Sequence, residues 1–161
     1  MSWKAMTPAE ACDLVDFWDA APWPLTRDQA QQLAVDGLGW TTEVEDGVSY
    51  LMNTVSGFTV PDVSTIGSRG DLSYLSLDLA DTIREVTRES RRFLGDAFAL
   101  VVREAEIRWG TPVMRDSEQT TSATWDTASG GRISFRLAPR SLSAMFETPQ
   151  GVELDRKTGH R

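Results

Sequence analysis

Histidine is nearly absent from this chain of 161 residues: it occurs once, at His160. The usual general base near neutral pH is therefore confined to a stretch that reads as a polar tail, where it would be poorly held. Cysteine also occurs once, at Cys12, inside the first predicted helix. No internal disulfide can form, and no set of cysteines can hold a metal. The segments lack Gly-x-x-x-x-Gly-Lys, Gly-x-Gly-x-x-Gly and Gly-x-Ser-x-Gly, and the Asp-x-Asp-x-Asp-Gly pattern of a calcium loop. No cofactor and no metal site is expected. No apolar run approaches the roughly 20 residues that span a bilayer. The opening stretch, MSWKAMTPAEACDLVDFWD, carries acids where a secretory signal would be continuously apolar. The expectation is a cytoplasmic protein with no membrane partner.

Basic residues are scarce in the first half. Residues 1–80 hold 12 Asp and Glu against 3 Lys and Arg, and residues 81–161 hold 12 against 13. The net charge of −8 thus sits in the N-terminal half. Such a surface repels nucleic-acid phosphates. It suits a basic protein partner, which long-range attraction would steer toward it, and it also serves plain solubility. Among 24 acidic residues a pair could do hydrolytic chemistry, but nothing in the spacing selects one. The chain is read as non-enzymatic. Arg69-Gly70-Asp71 matches a cell-adhesion tripeptide only by chance in a chain with no secretion signal.

What is present is a set of helix and strand signals. The longest helical period lies in Thr87–Gly110, with Phe93, Leu94, Ala97, Phe98, Val101, Val102 and Ala105 on one stripe. Gly110 and Pro112 end it. Asp81–Val86 has two readings: the helix starts at Thr82, or a connector leads to a cap at Thr87. Thr7-Pro8-Ala9-Glu10 and Thr26-Arg27-Asp28-Gln29 are capping boxes for two earlier helices, to about Ala20 and over about 27–37. Asp13, Asp16 and Asp19 form an acidic ridge on the first. Trp40–Glu45 and Val48–Asn53 flank Asp46-Gly47, a hairpin turn. Residues 54–71 read as a loop, or as a short strand at Phe58–Val60 followed by a loop. Leu72–Leu79, Thr121–Thr127, Ile133–Leu137 and Leu142–Glu147 alternate as strands.

The order lacks repeated βαβ units. It predicts an α+β fold: an antiparallel sheet of about six strands with two N-terminal helices and one long central helix packed on it. One domain is expected over residues 1–148, with a polar tail over 149–161 that frays. Four of the six tryptophans, Trp18, Trp40, Trp109 and Trp125, fall on apolar faces or element ends, so they read as core. Trp3 and Trp23 are freer to be exposed.

The hairpin acids Glu43, Glu45 and Asp46, with Asp62 and Asp71 of the following loop, can form one negative surface. Such charges commonly make a solvated edge that discourages sheet-to-sheet association. The loop 54–71, whose glycines let backbone approach closely, is the candidate for insertion into a partner. The partner-binding candidates are Glu43, Glu45, Asp46, Phe58, Asp62 and Asp71.

The motifs Trp23-Pro24-Leu25-Thr26, Gln29-Ala30, Leu38-Gly39-Trp40, Asp96-Ala97-Phe98, Trp109-Gly110-Thr111-Pro112 and Trp125 run through residues 18–125. This pattern resembles a family of small actinobacterial proteins that look like immunity proteins of type VII secretion toxins. The member type is the immunity factor of the tuberculosis necrotizing toxin, an NAD glycohydrolase. The resemblance implies an antitoxin that binds its cognate toxin one to one and blocks the active site. It supplies no catalytic residue. The alternative is a secretion chaperone or adaptor of similar build.

Overall fold

Thr7 and Glu10 open the first helix of the computed structural model, which describes residues 3–68 and 70–158. Thr7 Oγ1 accepts the Glu10 N–H at 3.1 Å, and the Glu10 carboxylate accepts the Thr7 N–H at 2.9 Å. Two orphan donors of the first turn are satisfied reciprocally. This helix, α1, spans Pro8–Asp19 and buries Ala11, Val15 and Trp18. Thr26 and Gln29 repeat the device for α2, Arg27–Leu38. Between them the Trp23–Pro24 peptide bond is cis. Thr87 caps α3, Arg88–Trp109, with Ser90 as its reciprocal partner. Asp81–Val86 is therefore a connector. Leu94, Phe98, Val101 and Ala105 of the predicted stripe are buried, while Phe93, Ala97 and Val102 are half-buried on its flanks.

The helices pack on one antiparallel sheet of eight strands. These are β1 (Thr41–Glu45), β2 (Val48–Met52), β3 (Asp62–Ser68), β4 (Asp71–Asp78), β5 (Val113–Asp116), β6 (Thr121–Asp126), β7 (Arg132–Leu137) and β8 (Leu142–Glu147). Their spatial order is β1-β2-β3-β4-β8-β7-β6-β5. Two four-stranded meanders thus meet along the β4–β8 pairing. Residues directly opposite share a face. Leu51, Val63, Leu77, Ala144, Phe135 and Ala123 form one such row across six strands, and all are buried. This row is the floor on which the helices sit.

The sheet has eight strands where about six were predicted, because β3 and β5 carry no periodic signal. All four residues of β5 are exposed. In β3, Val63 is buried among Ser, Thr and Gly. The stretch 54–71, expected as a loop, contains a single 3₁₀ turn at Thr54–Ser56 and then β3, with no strand at Phe58–Val60.

The expected frayed tail is instead a fourth helix, α4, over Pro149–Thr158. Thr148 anchors it. Its hydroxyl donates to the Leu72 carbonyl at 2.7 Å and accepts the Gly151 N–H at 3.0 Å. Val152 is buried. A Cβ at Gly151 would lie 2.1 Å from the Ser73 carbonyl oxygen, so only glycine lets α4 approach β4 this closely. His160 and Arg69 lie outside the described residues.

Candidate functional site

The hairpin turn places the first acidic residues. Asp46 and Gly47 take φ values of 52° and 78°, the two positive φ angles of a two-residue turn whose twist matches its strands. Glu43 then lies opposite Tyr50, and Glu45 opposite Val48. Strand β3 brings Asp62 opposite Met52. Glu43, Glu45 and Asp62 line one groove of about 740 Å³ with Tyr50, Met52 and Ile66. None of the three carboxylates forms an ion pair among the described residues.

Arg27 braces this groove from α2. Its Nε donates to Thr65 Oγ1 at 2.9 Å, its terminal nitrogen donates to the Ser49 carbonyl, and its guanidinium lies 5.8 Å from the Tyr50 ring centroid. A planar cation over an aromatic face holds the ring in place. Val44, Val48, Tyr50 and Ile66 are exposed around the groove. Because β1 is the edge strand and all five of its residues are exposed, one backbone side is open to pairing.

Asp78 extends the acidic surface and was not foreseen. Burial holds its carboxyl above the usual carboxylate range, the nearby Asp62 charge pushes the same way, and the Thr82 hydroxyl bond opposes both. Sequence showed Asp78 only as a polar position on an alternating strand.

Three sequence expectations are corrected. Asp71 begins β4 opposite Ser68, at the far end of β3 from Asp62, so it does not join the acidic groove. Asp46 sits at the hairpin tip and does not line it. Phe58 is buried, and the loop expected to insert is largely the sheet strand β3. The ridge on α1 is likewise occupied: Arg108 takes Asp13 and Asp16, and Asp19 accepts the Ser129 hydroxyl.

Phe58 lines a second cleft, of about 700 Å³, between the N-terminal segment with α1 and the 3₁₀ turn. Leu14, Phe17, Leu38, Trp40 and Val55 give it apolar walls, and Lys4, Glu10 and Asn53 give it polar groups. Trp18, Trp40 and Trp125 are buried as expected. Trp3 and Trp23, expected to be freer, pack on the core instead. Trp23 stacks on Phe146 with centroids 5.9 Å apart, and Trp3 lies 5.4 Å from Phe93.

Among the described residues no group of three or more His, Cys, Asp or Glu is placed to hold a metal ion. No helix of the described residues is long and apolar enough to cross a membrane. The sequence model of DUF6301, a family of unknown function, matches residues 9–148, and the chain belongs to that family. No curated protein and no solved structure matches it.

Proposed function

We propose that this DUF6301 member is an immunity protein: it acts without catalysis, by sealing the active-site cleft of a cognate toxin enzyme, one to one. The observation that carries the reading is the groove of Glu43, Glu45 and Asp62, three unneutralised carboxylates around the exposed Tyr50 at a sheet edge. A toxin that cleaves an anionic dinucleotide such as NAD needs a basic cleft. A rigid acidic hairpin complements that cleft, and charge complementarity raises the association rate and rejects wrong partners. Tyr50, Val48 and Ile66 supply the apolar contact area that slows dissociation. The inserting element is the β1–β2 hairpin rather than the loop after it. The resemblance noted above would place the partner among type VII secretion toxins, met in the cytoplasm. Neither nucleic acid nor membrane is a partner in this reading.

The test is association kinetics with the toxin domain that this reading expects to be encoded beside the gene. Toxin activity should fall linearly to zero at one equivalent. The triple reversal Glu43→Lys, Glu45→Lys, Asp62→Lys should slow association about tenfold or more at low salt and leave the melting temperature within a few degrees, since all three side chains are exposed. An unchanged association rate would refute the acidic hairpin as the contact.

A further inference from the structure

Asn53 follows β2 and is 4% exposed, yet its side-chain oxygen Oδ1 is buried with no hydrogen-bond partner among the described residues. Its backbone is fully used: the N–H donates to the Pro61 carbonyl at 2.8 Å, and the carbonyl accepts from the Ser56 N–H and hydroxyl. The side chain lines the apolar cleft of about 700 Å³. A buried carboxamide oxygen with no donor costs free energy, and such atoms in native proteins are normally paired. The cleft is within the size range that holds a ligand.

Lys4 is the second polar feature. Its backbone is pinned to Asp81, which accepts the Lys4 N–H at 2.7 Å and donates its own N–H to the Lys4 carbonyl. Its ammonium lies over Gly57, 3.4 Å from where a Cβ there would stand. It has no ion pair among the described residues. The acids on this cleft are already engaged: Glu10 accepts the Thr7 N–H, and Asp13 binds Arg108. Lys4 is the one cation among the lining residues, and its ammonium is left to pair with an incoming carboxylate.

We infer that this cleft binds the carboxy-terminal end of a polypeptide whose last residues are bulky and apolar. One such residue supplies all three complements together. Its side chain fills the space between Phe17, Leu38, Trp40 and Phe58. Its backbone N–H offers the donor that the Asn53 side-chain oxygen lacks. Its terminal carboxylate answers Lys4. The volume exceeds one side chain, so two or three residues enter. The cleft shares no lining residue with the acidic hairpin groove, so the two sites are tested separately.

The experiment is calorimetric titration of the intact protein with the peptide acetyl-Ala-Leu-Phe as the free acid. Saturable one-to-one binding is expected. Amidating the C-terminus, or changing Lys4→Gln, should weaken it about tenfold through loss of the charged contact, and Asn53→Leu should weaken it by a similar factor. Val55→Trp should abolish it: Val55 is 64% exposed, so a larger ring there fills the cleft without entering the core. Circular dichroism and thermal melting confirm that each variant is folded. The inference is overturned by no saturable binding, by binding untouched by Val55→Trp, or by equal binding of the acid and the amide. Equal affinity for acetylphenylalanine and the peptide also overturns it, because the occupant would then be a free small molecule.

Discussion

Arg108 Nη1 on α3 lies 2.8 Å from Asp13 Oδ1 on α1. The same nitrogen reaches Asp16 at 3.0 Å, and Nε reaches Glu104 of its own helix at 2.8 Å. Trp109 Nε1 adds a bond to Asp16. One forked cation thus fastens two helices side by side. Arg108→Ala should lower stability by about 1–2 kcal/mol, since the pairs are partly exposed and the network breaks as a unit. Arg108→Lys should recover only part, because an ammonium cannot present the fork. Urea unfolding midpoints measure both.

Cys12 lies beneath that seam, fully buried. Burial pushes its thiol from 9.0 up to about 12; Arg108 pulls it down, while Glu104, Asp16 and Asp13 push it up. A thiol reagent at pH 8 should therefore react only as fast as the protein opens, and at once in denaturant. The folded state holds this proton more tightly than the unfolded chain. Its contribution to stability is complete below pH 9 and is lost as pH rises toward 12. Cys12→Ala should flatten that alkaline decline in a stability-against-pH series.

Asp78 behaves as an acid whose folded form prefers the proton. Its raised value means that the stabilising contribution is present below the unfolded value of 3.8 and is lost as pH rises through the folded one. Asp78→Asn keeps a hydrogen-bond partner for Thr82 and removes the buried charge. The variant should melt higher than the parent at pH 7, and the gap should close near pH 3.5. A parent that melts higher at pH 7 would show that the Asp78 charge is favourable where it sits.

Thr148 and Gly151 together decide whether α4 docks. Thr148→Val removes the hydroxyl shared by the Leu72 carbonyl and the Gly151 N–H, both buried, and should cost about 1–3 kcal/mol. Gly151→Ala forces a methyl into the Ser73 carbonyl and should cost about as much or more. Hydrogen exchange should show residues 149–158 losing protection in both variants while β6 and β7 keep theirs.

The readable parts of this fold were those whose determinants are local. Thr7 with Glu10 and Thr26 with Gln29 announce their helices within four residues, and Asp46-Gly47 announces its hairpin within two. Thr87 was harder, because Ser90 does the work usually given to Glu. β3 and β5 were invisible because their pairing comes from neighbours distant in sequence rather than from an alternating apolar face. α4 was hidden for a different reason. Its polar surface reads as tail, and its docking depends on a missing Cβ at Gly151 meeting Ser73. The acidic groove was half legible: Glu43 and Glu45 follow from the hairpin, but Asp62 joins them only through β3, and Asp71 leaves them for the same reason. Asn53 gave no signal at all. At the end of a predicted strand an Asn looks like any turn residue until burial and the lack of a partner are both known.

The β4–β8 pairing joins residues 71–78 to residues 142–147. During synthesis the first meander can form early, but its inner border at β4 stays raw until the last strand of the second meander has left the ribosome. For that interval a bare strand rich in Leu faces water, and the nascent protein is most open there to capture by a chaperone or by a second copy of itself.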